Sequence, residues 1–557
     1  MRIDKKNIIQ ILTGLQWSSA VAAVVTGVLL AATLIQTQIN DPIVNSDFSN
    51  VRQLIERNRS DQTLKDEVRA LDMLARKAYF TSMRQLKSGT ILFFAALAFF
   101  LITWNIRTAL SPIQPKRPAR KVLWWERQTR NAKTTAFVGT AAIIIVISLG
   151  IIHKYELASA LLSKRNAALD EGEFSRWWMN FRGAGGVGVA ASANVPMKFD
   201  GASMSGIRWK TEVPLEGHSS PVVYGDKIFL TGANKESRKI FCFNLDDGEL
   251  IWAYDVKVPG FDASNVPKVD RETGYAAPTA ACDGKNVYAI FATGELAALT
   301  LKGKLVWSKY WGTPDNHYGH SSSLITHDGL LFVQLDEYDK GKLIAVEGKS
   351  GKAVWEAPRT ILSWGSPIIV NSGNRRELIL VDNEYVSSYD PLTGKLLWNR
   401  DCLQGEVGPS AAYASGKVFS ANEYAVAAGI DLTNTDEEGK PPLLWKVRGD
   451  LPNAASPVSV DTLLFLTASN GVVTCLDNRT GTTLWTHTFE TGFYSSPIVA
   501  GNNVYLFDRD GTLHVFAAAS EFTLIESSSL GEPVTATPAM LDGYMIVRGK
   551  KFLYRIE

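Results

Sequence analysis

Histidines, cysteines and a glycine-rich stretch are the residues whose types and spacing first suggest chemistry. His317 and His320 stand three apart in Asn316-His-Tyr-Gly-His320. Two imidazoles at that spacing can share a metal, but a site needs a third ligand and none is evident. Loop polar groups that bond backbone account for the pair without a metal. Gly183, Gly185, Gly186 and Gly188 resemble a phosphate loop, yet they follow no predicted strand and open no predicted helix. The geometry that presents backbone N–H groups to a phosphate is therefore missing. The four cysteines, Cys242, Cys282, Cys402 and Cys475, are far apart and form no C-x-x-C pair. A zinc or redox motif needs closer spacing or histidine partners in register. Cys242 and Cys475 fall at equivalent points of a repeat, in Phe241-Cys-Phe243 and Thr474-Cys-Leu476, and read as buried core. Disulfide bonding stays open, since sequence does not pair cysteines. His218, in Gly217-His-Ser-Ser-Pro221, is left as a further candidate.

The elements that would position these residues are legible as a repeat. Trp209, Trp252, Trp307, Trp355, Trp398, Trp445 and Trp485 occupy one recurring slot at intervals of 40–55 residues. A Gly turn usually precedes it, as in Gly248-Glu-Leu-Ile-Trp252 and Gly481-Thr-Thr-Leu-Trp485; an eighth slot near Leu524 has no Trp. Each unit opens on a Ser or Thr anchor: Ser220, Thr279, Ser323, Ser366, Ser410, Ser456, Ser496 and Thr537. A second apolar strand follows, often after a Gly-Asp or Asp-Gly turn. Four short strands every 40–50 residues predict propeller blades, because a lone four-stranded sheet cannot bury both faces whereas blades around an axis can. Trp on the outer strand is expected to fill the gap between neighbours. Arg208-Trp209-Lys210 precedes the first anchor, and the last unit ends after its third strand, so the two ends should pair and close an eight-bladed ring.

The chain has 557 residues, enough for more than one domain. Lys+Arg 58 against Asp+Glu 56 leaves no basic face for nucleic acid. Before the repeat come three apolar runs, expected as transmembrane helices at about 8–35, 88–108 and 134–153. A helical periplasmic loop is expected over 40–87, from apolar residues spaced by three and four. Lys116, Arg117, Arg120, Lys121, Arg127, Arg130 and Lys133 oppose one acid, Glu126, between the second and third runs, which makes that loop cytoplasmic. The resulting reading is an α-helical membrane region at 1–155, a linker leading into the propeller at 156–206, and an all-β eight-bladed propeller at 207–557. It places a multi-pass protein in the inner membrane with the propeller in the periplasm.

The units resemble the PQQ-like repeat of eight-bladed quinoprotein dehydrogenases and of non-enzymatic relatives such as the outer-membrane-barrel assembly lipoprotein. Trp178-Met-Asn-Phe-Arg-Gly183, Gly186-Val-Gly188, Trp209-Lys-Thr211, Gly217-His-Ser-Ser-Pro-Val-Val223, Tyr318-Gly-His-Ser-Ser-Ser-Leu324 and Asn422-Glu-Tyr424 are similar to a membrane-anchored subgroup described as PQQ-binding-like β-propeller repeat proteins. The resemblance covers about Trp177 to Glu557. It implies that an enzyme of this kind would show adjacent cysteines beside the quinone, a Trp floor, and carboxylate and amide ligands for calcium. The sequence has no Cys-Cys pair, and fold alone does not carry function.

In a propeller, the loops from outer strand to next inner strand open on one face, together with the loops between second and third strands. That face surrounds the channel and forms a concave site. The first set is expected to present His218, Tyr275, His320, Trp364, Glu406 and Tyr494, and the second Asp336, Asp382, Asn422, Glu423, Asn470 and Asp508. Of these, His218, His320, Trp364, Tyr494, Asp336, Asp382, Asn422 and Asp508 are the candidate ligand-binding residues at the channel mouth. No catalytic or metal residue is expected, and no cofactor, PQQ and calcium being the alternative the resemblance allows. The expected role is non-catalytic binding or scaffolding of an envelope protein by a membrane-attached propeller. The alternatives are a quinone-dependent oxidoreductase and a periplasmic sensor or carbohydrate-binding module.

Overall fold

A computed structural model describes residues 5–39, 89–90, 93–108, 110 and 176–557, apart from 263–265, 267, 339, 360–361, 374 and 424. The chain divides into two units, Met1–Ser163 and Lys164–Glu557. In the first, helix α1 spans Lys5–Ile39 and a second helical stretch covers 93–108. Polar side chains recur along both. Gln16 and Ser19 on α1 and Thr103 on the second stretch are buried. Gln16 Oε1 accepts from Arg107 Nη1 at 2.8 Å, and Thr13, Thr26 and Thr103 donate back to carbonyls of the preceding turn. Among the described residues no helix is long and apolar enough to cross a membrane. This corrects the expectation of transmembrane helices at the first two runs. The third run, 134–153, and the loop 40–87 lie outside the described residues.

The second unit is built from eight four-stranded antiparallel sheets. Blade 1 spans residues 222–255, blade 2 281–310, blade 3 325–359, blade 4 368–401, blade 5 412–447, blade 6 458–488 and blade 7 498–529. Blade 8 combines 539–556 with the strand Ile207–Glu212. That strand pairs with Phe552–Ile556 in the register Trp209↔Arg555 and Glu212↔Phe552, so the start of the propeller supplies the outermost strand of its last blade. The middle strands are buried on both faces, as Leu330–Asp336 is along its whole length, while the outer strand Leu250–Asp255 alternates between exposed and half-buried. This is the pattern of a sheet covered on both faces by neighbours and open at one edge.

Two sets of contacts join the blades. At the outer radius, the indole N–H of each slot Trp donates to a carbonyl in the last turn of the next blade. Trp209 reaches Leu245 at 3.0 Å, Trp252 Leu301 at 3.2 Å, Trp307 Gly348 at 2.7 Å, Trp355 Pro391 at 3.0 Å, Trp445 Asn478 at 3.0 Å and Trp485 Ala519 at 3.0 Å. The rings lie about 6 Å from an aromatic on the second strand of their own blade, for example Phe229–Trp252 and Phe465–Trp485 at 6.0 Å. A large apolar ring with one polar handle suits a seam that is dry inside and bonded at its rim. Cys242 and Cys475 stand between such pairs, opposite Phe229 and Trp252 and opposite Phe465 and Trp485. All four cysteines are buried and free.

Two seams depart from this rule. In blade 5 the turn that Trp398 would meet is a longer segment with Pro441 where most of the other turns have Gly, and Trp398 donates instead to Glu377 Oε2 at 2.7 Å. Glu377 is fully buried and also accepts from Ser388 Oγ at 2.6 Å and Arg375 Nε at 2.7 Å. In blade 7, where the register puts Glu526 in the Trp slot, the chain preceding the propeller covers the seam to blade 8. Phe199 packs on Phe507 with ring centroids 6.2 Å apart, and Tyr505 donates to the Val195 carbonyl at 2.9 Å.

At the inner radius, each anchor's backbone N–H donates to the hydroxyl oxygen of the next blade's anchor. Ser220 donates to Thr279 at 2.9 Å, Thr279 to Ser323 at 3.1 Å, Ser323 to Ser366 at 2.8 Å and Ser366 to Ser410 at 2.9 Å. Ser410 continues to Ser456 at 3.0 Å, Ser456 to Ser496 at 2.9 Å, Ser496 to Thr537 at 2.9 Å, and Thr537 back to Ser220 at 3.0 Å. The circuit is closed.

Ser410→Ala leaves the Ser366 N–H buried without an acceptor and should destabilise the propeller by about 1–3 kcal/mol. Ser410→Thr, which keeps the hydroxyl as Thr279 and Thr537 do, should cost much less, and denaturant midpoints compare the two. Gly481 and Gly439 have nearly the same positive φ, 74° and 73°, but a methyl group at Gly481 would stand 2.7 Å from the Trp445 ring whereas Gly439 faces open space. Gly439→Ala should cost about 1 kcal/mol of backbone strain and Gly481→Ala clearly more, because it also displaces the indole.

Candidate functional site

The anchor ring surrounds a cavity of about 610 Å³ on the axis, and all eight anchors line it. Every loop from an outer strand to the next inner strand adds a side chain. In order they bring His218; Glu272 and Thr273; Tyr318 and Ser321; Trp364; Gln404 and Glu406; Asn453; Tyr494; and Thr535. Asn422 and Glu423 enter from the turn between the second and third strands of blade 5.

One end of this channel is closed by the chain itself. Trp178 exchanges backbone hydrogen bonds with Val223 of blade 1, at 3.1 and 2.7 Å, and the Met179 carbonyl accepts from Cys282 of blade 2 at 2.8 Å. Asn180 Oδ1 accepts from the Thr326 N–H of blade 3 at 3.2 Å. Gly185 lies so close to blade 4 that a methyl group there would stand 2.6 Å from the Ile369 carbonyl oxygen. Arg182 donates to the Ala411 carbonyl of blade 5 at 3.3 Å and to the Pro457 carbonyl of blade 6. Gly188 and Ala190 bond Val499 of blade 7, and the Asn194 carbonyl accepts from Gly543 of blade 8 at 2.7 Å. The segment thus visits all eight blades in order, and Phe181 is the side chain it presents to the cavity floor. The glycines that resemble a phosphate loop serve this close packing. The N–H groups of Gly183, Gly186 and Gly188 are spent on carbonyls of the same segment, those of Asn180, Gly183 and Arg182. Arg182 is fully buried, and burial pushes its pKa down to about 9.

Four of the eight candidates, His218, Trp364, Tyr494 and Asn422, line the cavity. His218 Nδ1 bonds Thr535 Oγ1 at 2.8 Å, and burial, followed by the Arg548 charge, lowers its pKa. Trp364 meets Tyr318 edge-on, with ring centroids 4.9 Å apart, and Asn422 Nδ2 donates to the Gln404 carbonyl at 2.6 Å. The other four point elsewhere. Asp336 and Asp382 hold Arg359 between blades 3 and 4: Arg359 Nε is 2.9 Å from Asp336 Oδ1 and Nη2 is 3.6 Å from Asp382 Oδ2. Burial opposes the Arg359 charge, but the two carboxylates outweigh it and raise its pKa. Asp508 Oδ2 lies 3.1 Å from His514 Nε2. His320 is buried with Nε2 3.3 Å from the Gly312 carbonyl. His317 turns to Asp270 at 3.8 Å, so the two histidines do not converge.

Glu272, Tyr318, Asn453, Phe181 and the anchor hydroxyls were not among the sequence candidates. The signal for the hydroxyls was present, since all eight anchors are Ser or Thr. The donor set does not fit a quinone–calcium centre. No cysteine lines the cavity, its floor is Phe181 rather than Trp, and among the described residues no group of three His, Cys, Asp or Glu side chains is placed to hold a metal.

Eight four-stranded blades, six of them docked to the next by a Trp, closed by an N-terminal strand, define a PQQ-like β-propeller. A family model described as outer membrane protein assembly factor BamB matches residues 200–363 and 433–551, just over half of the chain, and the chain belongs to that family. It is 24% identical to the outer membrane protein assembly factor BamB of Yersinia pestis over 288 residues, 48% of this chain and 70% of that protein. It is 30% identical to the dehydrogenase subunit of a quinone alcohol dehydrogenase of Gluconobacter oxydans over 185 residues, 31% of this chain and 23% of that protein. The crystal structure of BamB from Moraxella catarrhalis aligns with a TM-score of 0.49 at 13% identity, covering 63% of this chain and 99% of that one. The expectation of a multi-pass inner-membrane protein is corrected on these grounds. The relatives are named as outer membrane assembly factors, and no described helix is long and apolar enough to span a bilayer.

His320 yields a pH prediction. Burial holds its pKa down to about 4, although the Gly312 carbonyl acts in the opposite direction. The unfolded chain protonates this ring near 6.5, so native stability is intact above that pH and falls as pH drops toward 4, by up to about 3 kcal/mol. His320→Gln, which keeps a donor for the carbonyl, should flatten this part of the acid dependence, measured as denaturant midpoints at pH 7.5 and 4.5.

Proposed function

We propose that this chain is a non-catalytic propeller that binds a protein partner in the cell envelope through the open mouth of its channel. The observation that carries the reading is the one-ended cup, to which all eight loops contribute while the chain's own segment closes the other end. Such a cup presents aromatic and polar groups on one face only, as a docking site requires. The names of the family relatives, assembly factors of the outer membrane, support a partner of the same compartment. A quinone-dependent oxidation is less well supported, because no cysteine lines the cavity and its floor is Phe181 rather than Trp. A sensor or carbohydrate module would use the same mouth, but no observation favours it over a protein partner.

A photoreactive phenylalanine analogue at Trp364 should form one discrete protein adduct in intact cells, and the same analogue at Glu526, on the outer strand of blade 7, should not. Absence of any adduct from position 364, or identical adducts from both positions, overturns the proposal.

A further inference from the structure

We propose that the cup receives a basic side chain, lysine or arginine, carried on an extended segment of the partner. This rests on the partner-binding reading above and adds the chemistry of the inserted group.

Charge is the first ground. Glu272, Glu406 and Glu423 line the cavity, and no Lys or Arg does. The nearest buried cations are turned away. Arg182 lies under the floor on backbone carbonyls, and Arg548 Nη1 is taken by Ser219 Oγ at 2.6 Å and by the Thr231 carbonyl at 2.7 Å. The field of the carboxylates registers on the rim phenols. Burial raises the pKa of Tyr318, and Glu406 raises it further; burial likewise raises that of Tyr494, followed by Glu272.

Aromatic surface is the second ground. Tyr318, Trp364 and Tyr494 stand at the mouth with those carboxylates. Arg509 already lies 4.4 Å over the Tyr494 ring, so that ring accepts a cation in this structure. Aromatic faces beside carboxylates attract an ammonium or guanidinium more strongly than a neutral group, and the gain grows as the site is desolvated.

Depth is the third. Each anchor is at least nine-tenths buried, and each hydroxyl oxygen takes one backbone N–H. That leaves every hydroxyl with a lone pair and its own proton. Each hydroxyl therefore has a lone pair to offer to the cavity it lines. Asn453 Oδ1, also at the cavity, is buried with no donor. Acceptors waiting at depth below an acidic rim suit a long side chain that ends in N–H donors. An anion would have to pass three carboxylates to reach the same place.

The test uses the purified full chain and small probes in ligand-observed NMR titrations. N-acetyl glycyl-arginyl-glycinamide and its lysyl form should bind about tenfold more tightly than the glutaminyl and glutamyl forms, and more weakly as salt is added. The triple variant Glu272→Gln, Glu406→Gln, Glu423→Gln should lose about tenfold in affinity for the arginyl probe, while Glu526→Gln on the outer rim leaves it unchanged. If the triple variant has a shifted denaturation midpoint, the single variants Glu406→Gln and Glu423→Gln replace it, each expected to lose about twofold. Equal affinity for the glutaminyl probe, tighter binding of the glutamyl probe, a preference for maltose, or no change in the acid-to-amide variants overturns the inference. Adduct formation at position 364 together with a failed arginyl probe would keep the partner-binding reading and remove the basic insert. Loss of both would remove both.

Discussion

Everything in the propeller depends on how the first residue of each inner strand disposes of its backbone N–H. That group lies next to the axis, beyond the ladder of its own blade, and burying it unpaired would cost more than the strand gains. A Ser or Thr on the following blade supplies an acceptor at the distance set by blade spacing, and eight repetitions return to the first. The link couples every blade to the next at the smallest radius. The Trp indole couples the same pair at the largest, by its N–H and by the apolar ring that fills the widening gap. Two attachments at different radii fix both the spacing and the tilt of a blade, which one alone would leave free. The strand Ile207–Glu212 makes the circuit possible, since it gives blade 8 the outer strand that carries Trp209 toward blade 1.

The architecture was legible because its signals are local and repeated. A hydroxyl anchor, a Gly turn and a Trp each recur once per blade, and equal numbers of inner and outer strands fix the count. Trp209 stood out of phase with its siblings, which pointed to the closing strand. The exceptions were not legible, because they depend on pairs distant in sequence. Trp398 keeps its place in the pattern, yet its N–H is captured by Glu377 on its own blade. Blade 7 carries Glu526 in place of the Trp, and residues near 199, preceding the propeller, pack into that seam.

The site shows the same division. That the loops of one face surround the channel follows from the fold, and Trp364, Tyr494, His218 and Asn422 lie where that rule puts them. Which of several acids faces the cavity does not follow from the rule. Asp336 and Asp382 belong to the right turns, but Arg359 at the end of blade 3 draws both into a buried ion pair. Buried carboxylates go where a cation compensates their desolvation. Asp508 is held by His514 Nε2 and by the backbone N–H groups of Asp510 and Thr512. The acids that face the cavity, Glu272, Glu406 and Glu423, are those with no such arginine at hand, and that distinction is made by neighbours across a seam.

The glycine-rich lead-in has the largest consequence for function. Its composition suggests an anion loop, but its amides are turned onto its own carbonyls and its remaining polar groups onto the blades. What Gly185 permits is a path so close under blade 4 that a methyl group there would collide with the Ile369 carbonyl, while Gly183 and Gly188 make room for Trp178 and Arg182. A ring closed on one side by its own chain has a single approach. Under the partner-binding proposal, the residues that meet a partner come from the eight loops of the opposite face, which lie outside the ring of anchor hydroxyls. The separation between a closed ring of bonded hydroxyls and a set of loops above it explains how one architecture can keep its stability while its mouth is rebuilt for a different partner.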